Sequence, residues 1–212
     1  MVVAIDGPAG AGKSTVARGV ARALGFTYLD SGAMYRAVAL AALERGIDPD
    51  DGARLGELAW DLDIDFQGDT ISLGGQPVEG KIRSPEVTVA ASRVSVHPQV
   101  RQAMVKRQRE LIAAGRYVAE GRDIGTVVSP DSPLKVFLTA NEEERARRRA
   151  AESGESVADV QQAMRDRDRR DRERADSPLL AAKESVDIDT TDLTPDQVVE
   201  RIVALARERG IA

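Results

Sequence analysis

The chain opens with an apolar run, Val2 to Ile5, that Asp6-Gly7-Pro8 brings to an end, which predicts a short buried strand. After a Gly/Ala loop, Val16, Ala17, Val20, Ala21 and Leu24 recur at helical spacing from about Lys13, and Gly25 stands where a helix-ending glycine belongs. Phe26 to Leu29 predicts a second strand, so this opening segment reads as a parallel strand–helix–strand unit of right-handed connection. Helices follow from about Ala33 to Arg45, stopped by Gly46, and from about Asp51 to Leu62. Then the pattern changes. Ile64 to Phe66, Thr70 to Leu73 and Pro77 to Val78 are short strand-like pieces divided by Gln67-Gly68-Asp69 and Gly74-Gly75, a small antiparallel meander.

Ser84 before Pro85 marks a helix start, and a longer helix is expected from Pro98 to Ala114, closed by Gly115. Tyr117 to Glu120, Leu134 to Thr139 and Val186 to Asp189 predict three further core strands. Between the last two, Asn141 caps an arginine-rich helix, and Ser156 with Asp159 opens a second that runs to about Arg174. Thr194-Pro195-Asp196-Gln197 opens the final helix, to Arg209. Five core strands alternating with helices predict an α/β fold: three layers around a five-stranded parallel sheet. The expected division is a core of about 1–47, 97–141 and 178–212, an insert of about 48–96 with its own small sheet, and a helical lid of about 142–177.

Composition narrows the classes. At 212 residues the chain suits one domain with appendages, and the absence of cysteine excludes disulfides, thiolate metal sites and a cysteine nucleophile. No signal-peptide pattern or long apolar run is present, so a cytoplasmic protein that does not engage membranes is expected. The net charge of −5 counts against a nucleic-acid polymer as partner. Its distribution is uneven: ten arginines stand against seven acids between Arg145 and Arg174, which leaves +3 there and −8 elsewhere. A basic segment on an acidic chain suggests a small anion as ligand, although most of these charges are expected to pair along the helix and face water.

Gly7-Pro8-Ala9-Gly10-Ala11-Gly12-Lys13-Ser14 fits the phosphate-loop pattern between a predicted strand and helix. Small residues let successive backbone N–H groups point at phosphate oxygens, and the helix N-terminus adds donors and positive dipole. Lys13 can reach the β and γ phosphates, Ser14 can place its hydroxyl on Mg²⁺, and Thr15 follows at the α-phosphate. A nucleotide-operated switch would also need a guanine-reading Asn/Thr-Lys-x-Asp, which is absent. The Asp-x-x-Gly letters occur once, at Asp65 to Gly68, inside the meander.

Two further segments leave predicted strands at the ligand edge of the sheet. Leu29-Asp30-Ser31-Gly32-Ala33-Met34-Tyr35-Arg36 offers Asp30 and Ser31 as helix caps and Arg36 for a second phosphate group. Glu120-Gly121-Arg122-Asp123 offers Arg122 as a phosphate fork, Asp123 as acceptor for an exocyclic amino group and Glu120 as a water-mediated holder of Mg²⁺. On a helix, Arg167, Asp171 and Arg174 share one face with Arg170 nearby, so two arginines flank a carboxylate that can take ribose hydroxyls. His97, before Pro98, is expected to be structural.

These segments, with Ala90-Ala91-Ser92 and Gly121 to Val128, resemble bacterial cytidylate kinases in order and over nearly the whole chain. A monomer is expected, and the resemblance implies a P-loop NTPase fold and the reaction of ATP with CMP or dCMP to give ADP and the nucleoside diphosphate, with Mg²⁺. It implies Ser92, Arg101 and Asp123 as base readers, with Ser31, Tyr35, Arg36, Arg122, Arg167, Asp171 and Arg174 lining the rest of the monophosphate site. The meander matches that family's monophosphate-binding insert. Glu120 stands where related chains often carry aspartate. No general base is expected, since a phosphate acceptor is already ionised. Lys13, Arg122, Arg167 and Arg174 are the expected catalytic cations, under a lid that excludes water. A shikimate- or nucleoside-type kinase on the same scaffold and a nucleotide-dependent switch remain as alternatives.

Overall fold

The computed structural model describes residues 1–113 and 115–211, so the helix end expected at Ala114 lies outside the described residues. Strands β1 (Val2–Asp6), β2 (Thr27–Asp30), β6 (Tyr117–Gly121), β7 (Leu134–Thr139) and β8 (Val186–Asp189) form a parallel sheet in the order β2-β6-β1-β7-β8. In the register of β1 with β6, Ile5 stands beside Glu120 and Asp6 beside Gly121. The carboxyl ends of the two central strands therefore deliver the phosphate loop and the Glu120 to Asp123 segment side by side. By its contacts the chain divides into Met1–Tyr28 with Gly115–Ala212, and Leu29–Ala114.

In the first unit, helix α1 (Lys13–Leu24) presents Val16, Ala17, Val20 and Ala21 to the sheet, where they join Val3, Ile5, Val118, Val136, Leu138 and Ile188 in the core. Each large apolar side chain buried in this way contributes roughly 1.5–3 kcal/mol. Gly25, at φ 67°, ends α1, and Phe26 donates back to the Ala21 carbonyl (2.9 Å). That closing bond explains why β2 begins at Thr27, one residue later than the apolar pattern suggests. Helix α8 (Pro195–Glu208) carries the reciprocal Thr194/Gln197 cap and packs Val198 and Ile202 into the same core. Helices α6 (Glu142–Ser153) and α7 (Val157–Glu173), capped by Asn141 and Ser156, share a small cluster of Ala146, Ala150, Val160 and Met164, against which Ala9 packs.

In the second unit, Asp30 caps α2 (Ser31–Glu44) by accepting from the Ala33 N–H, so the helix starts two residues before the first alanine of its periodic run. Helix α2 packs on α4 (Pro85–Val94), and α3 (Gly52–Asp61) on α5 (Pro98–Ala113). Strands β3 (Ile64–Gln67), β4 (Thr70–Leu73) and β5 (Gln76–Pro77) make the antiparallel meander, which removes Asp65 to Gly68 from any switch role beside a parallel strand. No helix among the described residues is long and apolar enough to cross a membrane.

Gly7 follows β1 at φ 149°, and a Cβ there would collide with the Leu138 carbonyl oxygen of the neighbouring strand. Gly7→Ala is expected to lower the unfolding free energy, measured by urea denaturation without nucleotide, by about 3 kcal/mol or more. A loss under about 1 kcal/mol would show that the turn can shift to admit a methyl group.

Candidate active site

The phosphate loop leaves β1 and enters α1 through Gly12, which is left-handed at φ 83°. Among the described residues no side chain caps this helix, so the first-turn N–H groups are left for an anion. Ser14 and Thr15 are exposed in that turn. Lys13 is buried and folds back, its Nζ donating to the Pro8 carbonyl at 2.7 Å. Burial first, and then the positive charges of Arg122 and Arg167, bring its pKa down from 10.5 to about 7, while Glu120 and Asp171 work the other way.

A mixed-charge cluster stands within electrostatic reach of that ammonium. Arg122 Nε donates to Asp171 Oδ2 at 3.0 Å, Arg174 Nη1 lies 3.6 Å from Asp171 Oδ1, and Arg174 Nη2 lies 4.0 Å from Asp123 Oδ1. Burial pushes the Asp171 carboxyl up, but Arg122, Arg167 and Arg174 together hold it below the usual carboxylate range. Burial likewise opposes the Arg122 charge, and Asp171, joined by Asp168 and Glu120, more than restores it. Helix α7 ends at Glu173, so Arg174 is the first residue beyond the helical face that carries Arg167 and Asp171. Its Nε donates to the Ser177 carbonyl at 2.6 Å, across a corner where Ser177 is left-handed at φ 51°.

Three supports of this cluster were not singled out from the sequence. Asp6 accepts from the Ile124 and Gly125 N–H groups at 2.9 and 2.7 Å and anchors a π-type turn, Ile124–Val128, directly after the Arg122-Asp123 pair. Burial raises its pKa from 3.8 to about 6 against the pull of those amides. The Tyr28 hydroxyl donates to Glu120 Oε1 at 2.7 Å. Asp168, expected to face water with the other helix charges, is instead buried and pairs with Arg145 at 2.6 Å. Arg169 with Asp166 forms the exposed pair anticipated along the helix, whereas Arg165 pairs across to Glu142 of α6, also in water. Alternating charge along α7 gave no sign of which acid turns inward.

The second unit holds its own group of the expected residues. Arg36 Nη2 donates to Asp30 Oδ2 at 2.9 Å, which fixes the guanidinium, while the buried Arg36 Nε has no hydrogen-bond partner among the described residues. Ser31, Tyr35, Ser92 and Arg101 are all buried, and the Arg101 guanidinium lies 5.4 Å from the Tyr35 ring centroid. A wholly buried arginine beside an aromatic face is a specific polar fixture and not a surface charge. The His97 ring meets the Pro49 carbonyl at 2.9 Å and packs under Gly52, a structural placement.

The donor set also fits a hard cation. Ser14 offers an exposed hydroxyl and Glu120 a carboxylate on the strand beside the loop, all oxygen ligands of the kind Mg²⁺ takes while keeping several waters.

A phosphate loop at the carboxyl edge of a five-stranded parallel sheet, with a lysine set among arginines, defines a P-loop kinase. A gluconokinase from Sinorhizobium meliloti 1021 shares the fold, with a TM-score of 0.53 at 16% identity over 99% of this chain and 93% of that one. The family model described as cytidylate kinase matches residues 3–208. A cytidylate kinase of Solibacter usitatus (strain Ellin6076) is 50% identical across 99% of this chain and 93% of its own length. One of Mycobacterium leprae (strain Br4923) is 47% identical across 99% and 97%. The chain belongs to the cytidylate kinase family and is a nucleoside monophosphate kinase.

Native Lys13 releases its proton near pH 7 and the unfolded chain near 10.5, so the unfolded state binds more protons between those values and stability rises with pH across that window. Lys13→Met is therefore expected to raise the Tm of the nucleotide-free protein at pH 7 and below. The gain should fade as pH climbs from 7 toward 10.5, followed by calorimetry. A gain that grows with pH would show that the lysine is not held at a cost.

Proposed function

We propose that the chain transfers the γ-phosphoryl group of ATP to the phosphate of CMP or dCMP, giving ADP and the pyrimidine nucleoside diphosphate. The observation that carries this reading is the crowding of Lys13 by Arg122 and Arg167, with Arg174 tied to the same carboxylate. Like charges gathered in a buried place are relieved by a polyanion, and two phosphate groups meeting end to end supply one.

In this reading Gly7, Pro8, Ala9, Gly10, Ala11, Gly12, Lys13, Ser14 and Thr15 hold the triphosphate. Arg36, with one donor edge still unmet, and Arg122 take the acceptor phosphate. Asp171 and Arg174 bind the ribose and the transferring group with Arg167, and Tyr35 lines the nucleoside. Ser92, Arg101 and Asp123 read the base, the carboxylate accepting from the 4-amino group of cytosine. An acceptor phosphate oxygen forms the new P–O bond as the bond from the γ-phosphorus to the β–γ bridging oxygen breaks, and that oxygen leaves with ADP. No proton need be removed from the nucleophile, so the work of the protein is alignment and charge stabilisation. The Ser14 hydroxyl and, through water, Glu120 would hold Mg²⁺, which supplies neutralising charge to the phosphates when bound. Helices α6 and α7 would exclude water as an alternative acceptor.

A coupled ADP-release assay with ATP, Mg²⁺ and a panel of CMP, dCMP, UMP, AMP and shikimate tests the reading. CMP and dCMP are expected to turn over fastest; shikimate turnover with CMP inert would overturn it. Arg174→Ala is expected to lower kcat by about 10²-fold, the scale of one positioned donor. Near-normal kcat in that variant would remove Arg174 from the transferring group.

A further inference from the structure

Two arginines of α6 bear on carbonyl oxygens of the phosphate loop, Arg145 directly and Arg148 through Thr190. Arg145 Nη1 donates to the Ala9 carbonyl at 3.0 Å and to Asp168 Oδ2 at 2.6 Å, and its Nε donates to the Ala140 carbonyl at 3.2 Å. Arg148 Nη1 donates to the Thr190 hydroxyl at 3.0 Å and Nη2 to the Thr190 carbonyl at 2.7 Å. The Thr190 hydroxyl in turn donates to the Ala11 carbonyl at 3.3 Å. A hydroxyl has one proton to give, and the arginine N–H occupying a lone pair directs that proton to the loop. Arg145, Asp168 and Thr190 are all buried, so water competes little for the bonds they make to the Ala9 and Ala11 carbonyls and to each other.

In a trans peptide the carbonyl and the following N–H point in opposite directions. Holding the Ala9 and Ala11 carbonyls toward these side chains therefore turns the Gly10 and Gly12 N–H groups the other way. Gly10 and Gly12 bring no side chain to fix those peptide planes, and both are left-handed, at φ 73° and 83°. We infer that Arg145 and the Arg148–Thr190 pair are positioning residues that hold the Gly10 and Gly12 amides in the orientation that accepts phosphate. The loop is thereby preorganised by side chains that touch no ligand, and the ordering cost is met before nucleotide arrives. This role rests on the reading that the loop binds a nucleotide.

ADP binding to the full chain, measured by calorimetric titration with Mg²⁺, tests it beside steady-state kinetics. Arg145→Met is expected to weaken ADP by about 10-fold or more, and Thr190→Val, which keeps the shape and removes the hydroxyl, by about 3-fold. Both should raise KM for ATP and leave KM for CMP within about twofold, a split that general loosening would not produce. Arg145→Lys, with a donor but no fork, should recover part of the loss. Should Arg145→Met fail to fold, Thr190→Val decides alone. Either folded variant binding ADP as tightly as the unchanged chain overturns the inference, whereas an unchanged chain that does not bind ADP brings down the nucleotide reading itself.

Discussion

Repulsion among the cations set around a buried lysine is the constraint around which this structure is built. Two like charges 4 Å apart cost about 4 kcal/mol at the effective dielectric of a protein near its surface. Lys13 lies under the charges of Arg122 and Arg167, and Arg174 shares the Asp171 carboxylate with Arg122. Asp171, Asp123 and Glu120 keep such a group together in the folded chain. The ammonium surrenders part of its charge, and the carboxylate on α7 is held ionised against burial. An arriving anion changes the sign of the whole balance, so binding and stability are linked through the same few side chains.

Meeting that constraint takes backbone as well as charge. Asp6 stands one residue before the phosphate loop and holds the π-type turn that follows Arg122 and Asp123, so one carboxylate joins the ends of β1 and β6. Tyr28 does a comparable job for Glu120 from β2. These groups come from strands adjacent in space, and a shift in strand register would displace donor and acceptor together.

Much of the fold was legible because its signals are local. Strand positions followed from apolar runs, ended by Gly or Asp at β1, β2 and β6, and helix starts from Asn141, Ser156, Ser84 and Thr194, each of which caps its helix. The phosphate loop was legible because its spacing is itself the mechanism. What escaped was nonlocal. Asp6 reads in sequence as the end of a strand, and nothing near it names partners at Ile124 and Gly125. Asp168 lies among alternating charges that look alike until Arg145, 23 positions earlier, selects one of them. The shift of helix α2 to Ser31 reflects a choice between two capping candidates that only the bond from Asp30 to the Ala33 N–H resolves.

The corner at Ser177 bears on how this segment tolerates change over time. A non-glycine residue held left-handed is strained by about 1–3 kcal/mol, and here the strain is balanced by the bond from the Arg174 Nε to the Ser177 carbonyl. The partner is main chain, so the chemistry of side chain 177 is nearly irrelevant to it. Glycine and asparagine accept that handedness, while a β-branched residue would be strained there though it would touch no substrate. The constraint at this corner is thus first on the handedness of the path, with the Ser177 hydroxyl adding one bond to Asp176 at 2.8 Å.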